Sequence, residues 1–141
     1  MIYTANTKKA IKIAFAAHQG QLDKAGLPYI LHPIHLAEQM ETEETCIVAL
    51  LHDTVEDTYV TFEDLEKEFS EEVIEALKLL THEKSIPYMD YVEKIKSNPI
   101  AKAVKLADLN HNSDITRLDC ISKEDEKRRE KYQKAIKLLS E

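Results

Sequence analysis

Apolar residues recur at helical spacing along almost the whole chain. Ile11, Ala14, Phe15 and His18 fall at i, i+3, i+4 and i+7, which predicts a first helix whose inner stripe ends on a histidine. The stretch "QGQLDKAGLPYILHP" (Gln19 to Pro33) then holds both glycines and two of the four prolines, so it reads as a loop. Pro33 suits the first turn of a second helix through "IHLAEQM" and leaves His32 extended at its mouth. Thr42 offers an N-cap for a helix that is apolar on every side and ends near His52-Asp53. Thr61 with Asp64 has the form of a capping box, and Ser70 caps "EEVIEALKLL". Tyr88, Tyr91, Val92 and Ile95 make a further stripe. Val104, Asp108 and Asn112 share one line at i, i+4, i+8 of "PIAKAVKLADLNHN". A last helix begins near Ser122 with Tyr132, Ala135, Ile136 and Leu139 as its inner face. With no alternating strand pattern, repeat or linker, the expectation is a single all-α domain over residues 1–141.

Composition agrees with a packed globular chain. Of 141 residues, 43% are hydrophobic and 32% charged, and with two glycines there are few helix breakers. The cysteines, Cys46 and Cys120, form no CxxC pair and read as reduced thiols. A net charge of −7 argues against a nucleic-acid polymer or an acidic membrane as partner, while leaving room for a small anionic substrate. The N-terminus lacks the apolar core of a signal peptide, and no apolar run approaches the roughly 18 residues of a membrane span. The expected location is cytoplasmic.

The candidate chemistry sits in "ALLHDTVEDT" (Ala49 to Thr58), where four ionisable groups follow directly on the most apolar run. A lone buried charge at the end of such a helix is costly, so His52 and Asp53 need a partner. A divalent cation supplies one. Imidazole with carboxylate suits Mn²⁺, Fe²⁺ or Zn²⁺, and His32 and Asp108 are candidate further ligands. Such an ion acidifies its water and neutralises a phosphoryl oxygen. Glu56 and Asp57, one turn on, are placed to orient or deprotonate an attacking water. Asn112, one turn from Asp108, could hold that carboxylate or the substrate. Bland readings compete: an "HD" dipeptide is usually a helix end, His18 reads as a hydrogen-bonded core residue, and His35 and His82 as surface. His111 reads as a capping or supporting group.

Three segments carry a resemblance. "AHQGQLDKAGLPYILHPIHLA", "ALLHDTVEDT" and "VKLADLNHN" match, in order and spacing, the blocks of HD-domain metal-dependent phosphohydrolases, and specifically the hydrolase domain of the RelA/SpoT alarmone enzymes. The resemblance implies an HD-type helical bundle with Mn²⁺ on His32, His52, Asp53 and Asp108. It implies Glu56 and Asp57 as the pair that activates water, and Asn112 lining the nucleotide site. The implied reaction removes pyrophosphate from the 3′ position of ppGpp or pppGpp, giving GDP or GTP. With no synthetase region following, the expected type is the small hydrolase. The chain departs from the family at Asp23-Lys24, where Arg-Lys is usual, so the metal and water machinery match while the nucleotide grip differs. Of the nearby cations Lys24, Lys84, Lys102 and Lys105, Lys24 is the one taken to hold phosphate. The alternatives are the same chemistry on another phosphorylated nucleotide, or a metal- or nucleotide-binding sensor without turnover.

Overall fold

A computed structural model describes all of residues 1–141 as nine α-helices, with one 3₁₀ turn at Ile115–Arg117 and no strand. The helices are α1 (Ala5–Ala17), α2 (Leu31–Glu38), α3 (Glu43–Leu51), α4 (Thr54–Asp57), α5 (Phe62–Glu66), α6 (Glu71–Leu80), α7 (Tyr88–Ile95), α8 (Pro99–Asn112) and α9 (Lys123–Ser140). The all-α expectation holds, and no helix is long and apolar enough to cross a membrane.

Helix α3 forms the centre because it has no polar face to show to water. Residues Cys46 to Leu51 are all buried, and the helix packs against α1, α2, α6 and α8. Its start is fixed by a capping box in which the Thr42 hydroxyl accepts from the Thr45 amide while the Thr45 hydroxyl accepts from the Thr42 amide. Thr61 with Asp64 caps α5 reciprocally, and Ser70 caps α6, as their sequences predict. Helix α8 lies against α2, α3 and α6, and α9 closes the bundle over α7 and α8 through Ala135 and Leu139.

Two local expectations are corrected. Phe15 is 58% exposed, not part of the inner stripe; α1 buries Thr7, Ala10 and Ala14, and His18 is buried just past its end. Helix α2 starts at Leu31, so His32 lies inside its first turn instead of extended before it. The cost of a helical residue before proline is met by two turns leading into it: the Leu31 amide donates to Pro28 and the His32 amide to Tyr29. Pro33 is tolerated because amides of the first helical turn have no intrahelical acceptor in any case. This early start turns the His32 ring inward.

Candidate active site

The site is assembled where the apolar helix stops. After Leu51 the chain turns at His52 and Asp53 and re-enters helix as α4, with Asp53 in the N-cap position. The buried Thr54 hydroxyl donates to the Leu51 carbonyl at 2.8 Å, fixing this break. His52 is buried and its Nδ1 lies 2.7 Å from the Ala49 carbonyl. A carbonyl only accepts, so Nδ1 carries the proton and Nε2 presents its lone pair to the site.

That nitrogen meets carboxylates. His52 Nε2 lies 3.0 Å from Asp53 Oδ2 and 3.5 Å from Asp108 Oδ1, yet it is buried without a hydrogen bond of proper direction. His32, from α2, places Nε2 2.9 Å from the same Asp108 oxygen. Ligand atoms of His32, His52 and Asp53 all fall within 4.8 Å of one another. A lone pair ringed by carboxylate oxygens is repulsive until a proton or a cation stands among them. Burial opposes charge on His52, but Asp53 and Asp108 outweigh it and raise its pKa well above the ordinary value. A divalent ion answers the same electrostatic demand, and the donor set of two imidazoles and two carboxylates fits one.

Supporting contacts orient the set. Tyr29 donates its hydroxyl to Asp53 Oδ2, and burial together with that carboxylate raises its pKa beyond the usual tyrosine range. Asn112 Nδ2 donates to Asp108 Oδ1 at 3.0 Å. Lys105, only 12% exposed, donates to Asp108 Oδ2 at 2.9 Å. Burial works against ionised Asp108, but Lys105 and the two histidines hold it well below the carboxylate range. His111 Nδ1 lies 2.7 Å from His32 Nδ1, and burial and the neighbouring His32 lower its pKa to about 4. His111 therefore supports His32 as a neutral ring.

A cavity of about 440 Å³ opens over this floor, bordered by the loop after α1, α4, α8, the 3₁₀ turn and α9. Asp53, Glu56, Asp57 and Asp108 line it, as do Lys24, Arg117 and Arg128, with Asp23 and Asp125 beside the two arginines. Glu56 is fixed by accepting the His82 amide at 2.9 Å. Asp57 is free of such a tether, and burial followed by the charges of Asp53 and Glu56 raises its pKa.

A family model described as HD domain matches residues 10–136. The chain belongs to the HD domain family. That membership implies a divalent metal ion, and His32, His52 and Asp53 form a cluster whose geometry could hold one. Among relatives, the chain is 42% identical over 113 residues to the guanosine-3′,5′-bis(diphosphate) 3′-pyrophosphohydrolase MESH1 of Mus musculus, covering 70% of this chain and 63% of that protein. To the Danio rerio protein of the same description it is 38% identical over 122 residues, covering 77% and 68%. It is 33% identical over 120 residues to the bifunctional (p)ppGpp synthase/hydrolase SpoT of Escherichia coli (strain K12), covering 74% of this chain and only 17% of that one. A solved structure described as a metazoan ortholog of SpoT that hydrolyses ppGpp superposes with a TM-score of 0.77 at 28% identity, over 99% of this chain and 85% of that one.

Within this HD domain, His32, His52, Asp53 and Asp108 come together from α2, the α3–α4 break and α8, with Asn112 beside them. Glu56, Asp57 and Lys24 border the same cavity. Of the other lysines considered, Lys105 reaches the site, whereas Lys84 and Lys102 do not line the cavity. His18 is a core residue bonded to Gln21, as its position predicts. His82 departs from the surface reading: its Nε2 lies 2.7 Å from the Ile86 carbonyl and its ring stacks on Tyr91. Sequence reading passed over Tyr29, Arg117, Arg128 and Tyr132. A signal existed for Arg128, which lies at i−4 from Tyr132 on the inner line of α9. None existed for Arg117, which stands in a non-periodic stretch.

Proposed function

We propose that this protein is a Mn²⁺-dependent hydrolase that removes the 3′-pyrophosphate of ppGpp or pppGpp. The observation that carries the reading is the convergence of His32, Asp53 and Asp108 around the buried, unpartnered His52 Nε2, at the floor of a cavity that Glu56 and Asp57 also line. The relatives' named activities supply the substrate class. The cavity volume falls within the range of small-molecule sites.

In this reading His32, His52, Asp53 and Asp108 hold the ion, which supplies charge neutralisation at a phosphoryl oxygen and makes water a better nucleophile at neutral pH. Tyr29, Asn112 and Lys105 keep the two carboxylates in place. Asp57 takes the water's proton as the water oxygen bonds to the phosphorus attached at the 3′ oxygen. Glu56, held by the His82 amide, orients that water. The bond from phosphorus to the 3′ oxygen breaks, pyrophosphate leaves, and the 3′ oxygen takes a proton, leaving GDP or GTP. Lys24 contacts the nucleotide's phosphates at the cavity lip.

The test is pyrophosphate release from ppGpp by purified protein with added Mn²⁺, beside an Asp53→Ala control. Release that requires both the metal and Asp53 is the expected result. Mn²⁺ binding by the parent protein without any release from ppGpp or pppGpp would overturn the substrate assignment.

A further inference from the structure

The cavity lining carries charges of both signs. Its floor holds Asp53 and Asp108, prepared for a cation and the phosphate under attack, and Lys24, Arg117 and Arg128 line the same cavity, Arg117 facing Asp23 and Arg128 paired with Asp125. A second anionic group on the ligand would meet these cations. The three cations differ in what they have available. Arg128 is already closely paired with Asp125 one turn away, and Lys24 stands exposed at the lip. Arg117 and Arg128 are half-buried alike, with side chains 29% and 33% exposed, but only Arg117 has a buried Nε without an acceptor.

Arg117 is held from two sides without being saturated. Its Nη1 faces Asp23 Oδ2 at 3.4 Å and its Nη2 donates to the His111 carbonyl at 3.4 Å. Both lie beyond the usual range of an N–H···O bond. Its Nε is buried with no acceptor at all. A guanidinium has five N–H donors in a planar fork suited to phosphate, so this one is aimed but underused.

Asp23 is equally specific in its placement. Its Oδ1 accepts the Ala25 amide at 2.9 Å and the Leu27 amide at 3.0 Å, which folds the loop around Gly26, itself at a φ of +79°. Its other oxygen is thereby turned toward Arg117. The acidic residue is consequently not an unpaired negative charge facing an anionic ligand. It builds the loop and orients a cation that the distant 3₁₀ turn contributes.

We propose that Arg117, positioned by Asp23, is a specificity-determining residue that binds the 5′-phosphates of the nucleotide, the anionic group not under attack. This assignment rests on the hydrolase reading for its substrate, and it is testable without turnover.

The experiment measures equilibrium binding of GDP, which carries only 5′-phosphates, and of guanosine 3′-monophosphate, which carries none there. The full-length Mn²⁺-loaded protein is used as parent, Arg117→Ala, Arg117→Lys and Asp23→Asn, with ppGpp kinetics alongside. Arg117→Ala is expected to weaken GDP about tenfold and guanosine 3′-monophosphate less than about twofold, as loss of one charge-assisted contact dictates. For ppGpp, KM rises by a similar factor while kcat stays within about twofold. Arg117→Lys, which keeps the charge but not the fork, falls between, and Asp23→Asn weakens GDP in the same direction by less. Should Arg117→Ala fold poorly, Arg117→Lys carries the comparison. Equal weakening of both nucleotides, unchanged GDP binding, or a fall in kcat at constant KM would overturn the assignment. If the parent releases no pyrophosphate but its GDP binding depends on Arg117, the hydrolase reading falls and this one stands.

Discussion

At the scale of the residue, the site is a set of charges that tolerate burial only together. Asp108 makes this plain, since it accepts from His32, Asn112 and Lys105 at once. Lys105→Met would leave a buried carboxylate without its ammonium. We expect a loss of roughly 3–5 kcal/mol in urea unfolding of the metal-free protein, the range for breaking one partner of a buried pair. Asp57→Asn removes the proposed proton acceptor but no ligand atom. Turnover should fall about 10²- to 10⁴-fold with Mn²⁺ content unchanged by metal analysis; loss of the metal as well would instead make Asp57 a ligand. Asp23→Arg would bring residue 23 back to the arginine of the related enzymes, yet here it removes the acceptor of two loop amides and sets a second guanidinium against Arg117. The expected outcome is weaker GDP binding and a melting temperature lower by a few degrees.

At the scale of the element, α3 is the part on which the site depends. Its caps and its uniform burial fix where His52 and Asp53 emerge. Leu50 is fully buried, so Leu50→Ala should cost about 2–5 kcal/mol in chemical denaturation, with metal affinity falling too because the ligand-bearing turn loosens. The capping box of α5 gives a pH dependence of known sign. Side-chain and backbone hydrogen bonds with Thr61 hold the Asp64 carboxyl below its ordinary value of 3.8. A lowered carboxyl contributes stability in full above 3.8 and loses it as the pH falls through the lower folded value. Asp64→Asn should therefore lower stability at neutral pH in urea unfolding, with the difference from the parent shrinking as the pH falls through that lower value.

At the scale of the molecule, five separate segments border one cavity, so folding and ligand binding are linked. A metal that binds only the folded chain stabilises it by about 2.7 kcal/mol at a concentration a hundredfold above its Kd. Thermal unfolding with Mn²⁺ should accordingly shift upward by on the order of 10 °C, reverse with chelator, and be absent in Asp53→Ala. An equal shift in Asp53→Ala would place the ion elsewhere. The overall charge of −7 gives no hint of the local cluster of Lys24, Arg117 and Arg128, because net charge averages over surfaces that a ligand never meets.

Much of this was determined by the sequence alone. Helical period, Thr42, Thr61 and Ser70 at their caps, and the two glycines in one loop are local signals, and α3, α5 and α6 formed where those caps lay. The candidate metal ligands were proposed on two grounds: ionisable groups at the end of an apolar helix demand partners, and the three sequence blocks resemble those of HD-domain phosphohydrolases. What the sequence left open is which residues meet across elements. Periodicity tells which way a side chain faces, not what faces it. Phe15 shared the spacing of the α1 stripe but found no neighbour and stayed in water. Asp23 and Arg117, 94 positions apart, have no signal in common until the loop after α1 and the 3₁₀ turn are folded onto the same cavity. Only tertiary structure, which sets distances between residues remote in the chain, decided that the aspartate of the loop after α1 faces an arginine of the 3₁₀ turn.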